Sequence, residues 1–263
     1  MNVDFSKLLQ FIPPAARVLD LGGWERVFPR ANVVVDLLPY HSRKYIDKNI
    51  PEHFTEKDWL IADFCSQDFW KSIPDKAFDF VTIGHTLEDI RDPLFVCSQM
   101  IRCARAGYIE APSYFRELSK RQSTDIFSGY PHHRWIIQPL ADLTGLIFKA
   151  KLAWAHHGDY LGDSRRDILK DYFFQFDGYL WEGSFAYVEH FSKSPQLEIA
   201  DAKWHFENVL KSNCLRNNFL LLRSNSDSPN DGKCLWVTEY KLPSEHHQLT
   251  GLMPSIYKQY GAS

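Results

Sequence analysis

The chain has 263 residues, of which 44% are hydrophobic and 24% are charged, and its formal net charge is −3. This length and composition are typical of one large globular domain, or of a domain with an appended subdomain. The acidic balance argues against nucleic acid as a partner, because nucleic-acid-binding proteins present a broad basic surface. No run of about eighteen apolar residues occurs, so the sequence predicts no membrane span and no membrane partner.

The amino-terminal residues and the cysteines indicate the cellular compartment. No basic segment followed by a long apolar run begins the chain, so we expect no secretory signal peptide. The cysteines are odd in number and form no C-x-x-C pair: Cys65, Cys97, Cys103, Cys214 and Cys234. This pattern favours reduced thiols in a cytoplasmic protein over a disulfide framework or a zinc site.

The first 112 residues predict strands that alternate with helices. Five short apolar runs are the strand candidates: Arg17–Leu21, Asn32–Leu37, Trp59–Ala62, Phe78–Ile83 and Gly107–Ala111. Several of them are apolar throughout, as strands are when both faces of a sheet are covered. Pro93–Ala104 has apolar residues at helical spacing, and Gly107 provides a stop. We therefore predict an α/β fold with a Rossmann-like, doubly wound, mostly parallel sheet.

The rest of the chain departs from this rhythm and predicts a strand-rich carboxyl-terminal extension. Residues 113–131 are polar and aperiodic, so they form either a lid over the sheet or a plain connecting segment. A short helix is predicted at Pro139–Thr144 and a strand at Leu146–Ala155. Later strands are predicted on both sides of a turn-rich segment, 225–232, which indicates a hairpin: Ser184–His190, Asn218–Arg223 and Lys233–Tyr240.

Glycine, acidic and histidine residues follow four successive strand candidates: Gly22 with Gly23, Asp36, Asp63 with Phe64, and His85 with Glu88. Glycine lets a ligand approach the backbone closely, and a carboxylate that ends the second strand can accept hydrogen bonds from both ribose hydroxyls. Because ligands of open α/β sheets bind at the carboxyl ends of the strands, the pattern predicts a nucleotide-like cofactor there. The alternatives are an ordinary glycine turn and aspartates that cap helices or turns.

The segment FDFVTIGHTLEDIRDPLFVCSQMIRCARAGYIEAPS resembles the region after strand four in class I S-adenosylmethionine-dependent methyltransferases, particularly the type 11 group. Members of that group often carry a Ser-His-x-Leu-Glu-His run followed by Asp-Pro. A D-x-G-G-W loop, an H-T-L-E-D-I-R-D-P run and an H-H-R-W run also occur together in a bacterial subgroup associated with polysaccharide gene clusters, which the chain resembles. The resemblance covers roughly Arg17 to Ile137, about half of the chain.

The resemblance implies S-adenosylmethionine as the cofactor and a row of contacts along it: Asp20, Gly22 and Gly23 at the methionine part, Asp36 at the ribose, Asp63 and Phe64 at the adenine, and Gly84 and His85 at the end of strand four. The glycine loop is shorter than in the family. Eleven residues separate Leu21 from Val33, so the first helix must be very short. Arg26, Arg30 or loop amides would then hold the cofactor carboxylate in place of a long helix dipole.

A hydroxyl acceptor benefits from a general base, and four residues are candidates for this catalytic role: His85, Glu88, His132 and His133. Glu88 has the alternative of complementing a helix start. The run Tyr130–Trp135 can orient a sugar or carboxylate, or one histidine can simply bond the lid. We expect no metal, because adjacent histidines rarely bind one ion. The aromatic run Tyr172–Phe191 either stacks on sugar rings or fills a core.

The resemblance and these patterns together predict a methyltransferase that acts at an oxygen atom of a small molecule or a glycan precursor, with a small-molecule or carbohydrate substrate as its partner. The cofactor-binding domain would span residues 1–155. Residues 156–263 would complete the fold or form a substrate subdomain. The alternatives are a non-catalytic binding module with this fold and a dinucleotide-dependent oxidoreductase. The absence of G-x-G-x-x-G argues against the oxidoreductase.

Overall fold

The computed structural model describes residues 6–47, 49–140, 144–160, 175–191, 194–200, 202–203, 220–221 and 236–237. The chain divides into two compact units, which are described separately. Unit 1 comprises Met1–Ile109 and Leu180–Ser184, and unit 2 comprises Glu110–Tyr179 and Phe185–Ser263. These units are defined by packing, and the functional boundary predicted after residue 155 stays a prediction.

The following strands and α-helices lie within the described residues, together with short 3₁₀ helices at Tyr40–Ser42 and Glu56–Asp58. The strands are β1 (Val18–Leu21), β2 (Val33–Asp36), β3 (Trp59–Ile61), β4 (Phe78–Gly84), β5 (Ala104–Pro112), β6 (Trp135–Pro139), β7 (Gly145–Ala150), β8 (Phe176–Glu182), β9 (Ala186–His190), β10 (Leu220–Leu221) and β11 (Trp236–Val237). The helices are α1 (Ser6–Leu9), α2 (Gln67–Lys71), α3 (Pro93–Cys103), α4 (Tyr114–Glu117) and α5 (Ala153–His157). Residues 195–200 and 202–203 are also helical.

The main sheet has the strand order β3-β2-β1-β4-β5-β8. Strand β1 pairs in parallel with both β2 and β4, and β2 pairs in parallel with β3. The chain therefore winds outward from β1 to β3 and then returns to add β4 on the other side of β1. This reversal is the topological switch point at which doubly wound sheets bind ligands. The predicted α/β, Rossmann-like, mostly parallel fold is confirmed.

Burial and capping explain why these segments of unit 1 form strands and a helix. All four residues of β1 are buried, as expected for a central strand that is covered on both faces. Helix α3 begins at Pro93, and the carboxylate of Asp92 caps it by accepting from the backbone N–H of Phe95 at 3.0 Å. Residues 22–32 contain turns and no helix, so the very short first helix that was predicted is replaced by a loop.

Unit 2 contains a three-stranded sheet in the order β6-β7-β9. Strands β6 and β7 are antiparallel, and their pairing continues to Pro139 opposite Leu146. The helix predicted at Pro139–Thr144 is wrong at its start, because Pro139 ends a strand and the N–H of Leu140 donates to the carbonyl of Gly145 to close the turn. Residues 141–143 lie outside the described part. Strand β9 pairs in parallel with β7.

The strand predicted at Leu146–Ala155 is correct only in its first part. Strand β7 ends at Ala150, and Ala153–His157 form helix α5 instead. The last contact between the two strands is the hydrogen bond from the N–H of Lys151 to the carbonyl of Arg134, at 2.8 Å, because β6 begins at Trp135. Alanine is the strongest helix former, so the Ala-x-Ala sequence turns into a helix once pairing has ended.

The carboxyl-terminal strands agree with the sequence where they are described. Strand β9 confirms the strand predicted at Ser184–His190. Strands β10 and β11 pair antiparallel, as the predicted hairpin requires, but the turn itself lies outside the described residues. Of the aromatic run, the described Tyr179, Trp181 and Phe185 are buried, which supports core filling. Within the described part of the chain, none of the helices has the length and apolar character that crossing a bilayer requires.

Candidate active site

The carboxyl ends of the three central strands of unit 1 lie at one level. Leu21 of β1 pairs with Val35 of β2 and with Ile83 of β4. The next residues along the three strands are Gly22, Asp36 and Gly84, and they therefore stand side by side at the rim of the sheet. Gly22 and Gly84 flank the switch point. The structure thus brings together three of the residues predicted to contact a cofactor.

Asp36 is nearly buried, and each of its carboxylate oxygens accepts one backbone hydrogen bond. The N–H of Trp24 donates to Oδ2 and the N–H of Leu38 donates to Oδ1, both at 2.9 Å. An ionised carboxylate offers about four acceptor positions, so roughly two remain. Asp36 therefore both organises the loop after β1 and retains the capacity to accept two hydroxyl groups.

The two glycines at the switch point have different surroundings. Gly22 has φ +81°, and a Cβ added there would lie 2.2 Å from Thr86 Oγ1, so only glycine is accommodated. Thr86 was not singled out from the sequence, yet it packs directly against the glycine loop. At Gly84, by contrast, an added Cβ would meet no atom of the described residues within 4 Å. The backbone at the end of β4 is therefore accessible to a ligand.

Asp20 and Gly23 contact other residues of the protein and stabilise the loop after β1. The buried Asp20 carboxylate accepts from Thr82 Oγ1 at 2.6 Å and from the N–H of Phe28 at 2.8 Å. A Cβ at Gly23 would approach Val34 Cγ1 to 2.6 Å. Burial raises the pKa of Asp20 to about 6, although both hydrogen bonds oppose the shift. Contact of Asp20 and Gly23 with a methionine moiety stays a prediction.

The raised pKa of Asp20 predicts a pH-dependent stability. Its folded-state pKa of about 6 exceeds the ordinary value of 3.8, so the folded state binds the proton more tightly than the unfolded state. The free energy of unfolding should therefore fall as the pH rises from about 4 to about 6, by up to roughly 3 kcal/mol. Asp20→Asn should remove this slope, as measured by denaturant unfolding at several pH values. The exposed Asp68→Asn serves as the control, and an unchanged slope in Asp20→Asn would contradict the prediction.

Asp63 and Phe64 form hydrogen bonds with other residues of unit 1. Asp63 Oδ1 accepts from the N–H of Cys65 at 2.8 Å, which is a turn interaction, and Oδ2 lies 2.5 Å from the guanidinium of Arg91. The side chain of Phe64 is buried, and its carbonyl accepts from Trp70 Nε1. The turn role that the sequence left open is therefore observed. Contacts of this pair with adenine stay a prediction.

His85 and Glu88 form a pair just beyond Gly84. His85 has φ +52°, a conformation that is strained for a residue other than glycine and that clusters at functional sites. Its Nδ1 lies 3.7 Å from Oε1 of Glu88, whose side chain is only 1% exposed. Among the described residues, neither oxygen of Glu88 has a hydrogen-bond partner. The helix-start alternative for Glu88 is wrong, because α3 begins at Pro93 with Asp92 as its cap.

Unit 2 contains a buried ionic cluster that the sequence revealed only in part. Glu117 is 1% exposed, with Oε1 2.6 Å from His133 Nδ1 and Oε2 2.5 Å from Lys151 Nζ. Burial alone would raise the pKa of Glu117, but the His133 hydrogen bond and the Lys151 charge outweigh it, so the pKa lies below its ordinary value. An ionised Glu117 accepts a hydrogen bond from Nδ1–H of His133, which leaves Nε2 as the acceptor nitrogen of the neutral ring.

Lys151 joins this cluster to the segment that precedes β6. Its ammonium donates to Glu117 and also to the carbonyls of Ser128 and Tyr130, at 3.2 and 2.9 Å. A Cβ at Gly129, which has φ +61°, would lie 2.7 Å from Lys151 Nζ. The predicted lid is therefore anchored at both ends, because residues 114–119 are also buried. Residues 121–124 and 126–127 are exposed, and closure of a lid stays a prediction.

The rings of the predicted histidine pair contact each other and the ring of Tyr130. His132 is exposed, and its ring centroid lies 4.6 Å from that of the buried His133. The ring centroid of Tyr130 also lies 4.6 Å from that of His133. The guanidinium carbon of Arg116 lies 4.4 Å from the Tyr130 ring centroid. The sequence analysis did not identify Arg116 and Glu117 as candidate site residues. A short helix could have been predicted there, because a capping residue, Ser113, precedes apolar residues at helical spacing, but the segment was interpreted from its polar composition alone.

Comparison with known proteins gives the following relatives. The sequence matches no family model and no curated protein sequence. The chain is structurally similar to S-adenosylmethionine-dependent methyltransferases. One from Archaeoglobus fulgidus is 18% identical with a TM-score of 0.31, and the match covers 41% of this chain and 50% of that chain. One from Mesorhizobium loti is 14% identical with a TM-score of 0.32, covering 59% and 74%.

A third similar structure is the N-terminal domain of EvdMO1, obtained in the presence of S-adenosylhomocysteine and D-fucose. It is 17% identical with a TM-score of 0.32, and the match covers 53% of this chain and 58% of that domain. The chain thus spans about half the length of the Archaeoglobus protein and rather more of the other two.

Proposed function

We propose that the protein is an S-adenosylmethionine-dependent methyltransferase that acts on a small molecule or a glycan precursor, at an oxygen atom. The observation that carries the proposal is the alignment of Gly22, Asp36 and Gly84 at the rim of the switch point. A carboxylate with two remaining acceptor positions beside an accessible strand end fits a nucleoside ligand. The polysaccharide-associated subgroup and a cytoplasmic location are part of the same proposal.

The residues of the rim fit the cofactor in distinct ways. Asp36 would accept from the two ribose hydroxyls, and the backbone of Gly84 would lie along the ligand. Asp63 would have to share its carboxylate with Arg91 in order to accept from an adenine amino group. Arg30 is less suited to hold the cofactor carboxylate, because its guanidinium donates to the carbonyls of Pro13 and Pro14.

When bound, S-adenosylmethionine would supply a methyl group on a sulfonium: the acceptor oxygen would bond to the methyl carbon in line as the carbon–sulfur bond breaks, and S-adenosylhomocysteine would be the leaving group. Positioning the hydroxyl supplies much of the rate, and a general base that takes its proton adds about two to four decades. Two histidines have a carboxylate at Nδ1 that would stabilise the protonated ring, at 3.7 Å for His85 and 2.6 Å for His133. Either ring would receive the proton at Nε2. Glu88 and His132 remain the other candidates.

Calorimetric titration with S-adenosylhomocysteine tests the proposal. The protein should bind it, and Asp36→Ala should weaken the affinity by about 1–3 kcal/mol, the scale of a lost charge-assisted hydrogen bond. Because alanine also removes the acceptor of the Trp24 and Leu38 N–H groups, Asp36→Asn should be measured beside it, with thermal unfolding for both. The exposed Asp68→Ala is the control. Absence of binding by the unmodified protein would favour a non-catalytic module, and unchanged affinity in a folded Asp36 variant would refute the ribose contact.

A further inference from the structure

We propose that Arg116 and Ser119 of unit 2 form an oxyanion-binding site that recognises a carboxylate or phosphate group of the methyl acceptor. The idea rests on the proposed function in that the anion would belong to the acceptor molecule. Both residues are buried, with exposed fractions of 3% and 0%. They lie three residues apart in the chain, with Arg116 in α4 and Ser119 just beyond Leu118, which caps the end of that helix.

Both side chains have unused hydrogen-bonding capacity. Among the described residues, neither terminal nitrogen of Arg116 has an acceptor, and Ser119 Oγ has no partner. Neither residue has a carboxylate within ion-pairing distance there, although Glu117 is the chain neighbour of Arg116, because Glu117 is committed to His133 and Lys151. Buried charges are normally paired, so an unpaired buried guanidinium is an exception that calls for a ligand.

The contact between Arg116 and Tyr130 does not remove this requirement. A guanidinium above an aromatic face gains a cation–π attraction, but that attraction offsets only a part of the cost of burying an arginine, and it supplies no acceptor to the N–H groups. The Tyr130 ring instead lies against the guanidinium, whose central carbon is 4.4 Å from the ring centroid, and limits the orientations that it can adopt. A fixed guanidinium presents two parallel N–H groups, which match the two oxygens of a carboxylate or a phosphate.

An anion reaches the buried nitrogens only if part of unit 2 moves locally. Residues 121–124 and 126–127 form the exposed part of a loop whose ends are joined by a hydrogen bond from the N–H of Gly129 to the carbonyl of Ser119, at 3.0 Å. Segments with few buried contacts open at low cost. Displacement of this loop would expose Ser119, one of the two residues of the proposed site, to solvent.

The test measures binding of glucose 6-phosphate, glucuronate and uncharged glucose to the full chain, by calorimetry in a chloride buffer. One of the two anionic sugars should bind, glucose should not, and Arg116→Gln should weaken the binding at least tenfold. The exposed Arg121→Gln is the matched control and should bind as the unmodified protein does. Binding of the phosphate alone indicates a phosphate-bearing acceptor, and binding of glucuronate alone indicates a sugar acid.

Stability separates a binding role from a structural one. Because Arg116 is unpaired, Arg116→Met should keep or raise the melting temperature while anion binding is lost. If either substitution unfolds the protein, Arg116→Lys and Ser119→Ala replace it, and each should weaken anion binding severalfold. No binding of either anion by the unmodified protein, or equal binding by the Arg116 variants, overturns the site. The affinity for S-adenosylhomocysteine is measured in parallel and should be the same in these variants as in the unmodified protein. The two measurements are independent, so a result that contradicts the anion site leaves the methyltransferase proposal intact, and a result that contradicts the methyltransferase proposal is recognised separately.

Discussion

Gly84→Val is expected to abolish measurable cofactor binding without destabilising the protein. A Cβ added at Gly84 would meet no atom of the described residues within 4 Å, so we expect the substitution to leave the packing undisturbed. Glycine within a strand is less stable than alanine by roughly 0.5–1 kcal/mol, so the free energy of unfolding should stay constant or rise slightly. A cofactor lying along β4 would overlap the new methyl groups, and we expect at least a hundredfold loss of affinity for S-adenosylhomocysteine, or about 3 kcal/mol.

Two further substitutions make the Gly84 experiment specific. Gly84→Ala should give an intermediate loss, because its single methyl group fills less of the same space. Gly22→Ala should instead reduce the free energy of unfolding, since its φ of +81° and the nearby Thr86 leave no room for a Cβ. Calorimetry and thermal unfolding are measured for all three variants. Tight binding of S-adenosylhomocysteine by a folded Gly84→Val would show that no ligand lies along the end of β4.

The sequence predicted unit 1 better than unit 2, and the reason lies in the range of the interactions. The strands of unit 1 are short apolar runs bounded by glycine or acidic residues, so their type and end points depend on local composition. This is why Gly22, Asp36 and Gly84 could be expected at one rim before their register was known. Their partners were less predictable, since Thr86, which a Cβ at Gly22 would meet, follows His85, whose φ of +52° is rare for a residue other than glycine.

In unit 2 the decisive contacts join residues that are distant in the chain. Glu117 and Lys151 are separated by 34 residues. From its composition, the segment around Glu117 was predicted to be a polar connection or lid, and Lys151 fell within a predicted strand. Nothing in either segment indicates a buried ion pair, because burial depends on how β6 and β7 bring the two together. For the YPHHRW run, one of the alternatives, a hydrogen bond from a histidine to the lid segment, matches the contact between His133 and Glu117.

Lys151→Met is expected to cause the largest loss of stability of any substitution considered. Its ammonium is completely buried and donates to Glu117, Ser128 and Tyr130, so its removal leaves a buried carboxylate with one partner fewer and two carbonyls without this donor. Breaking a buried ion pair by removing one member costs about 3–5 kcal/mol. The exposed lysine of the Lys71–Asp68 pair provides the control, and Lys71→Met should cost less than about 1 kcal/mol.

A second substitution shows whether the loss arises from the ion pair itself. In Glu117→Gln combined with Lys151→Met, the cluster of Glu117, His133 and Lys151 keeps no carboxylate, so the double variant should be more stable than the sum of the two single losses predicts. The pKa of Glu117 lies below its ordinary value, so the contribution of the pair is fully present above pH 4.5 and is lost as the pH falls through the lowered pKa. Urea unfolding near pH 7 and near pH 3 measures both effects. A loss below 1 kcal/mol in Lys151→Met at pH 7, or strictly additive losses in the double variant, would mean that the cluster does not hold this segment to the sheet of unit 2, and that His133 is oriented by other contacts.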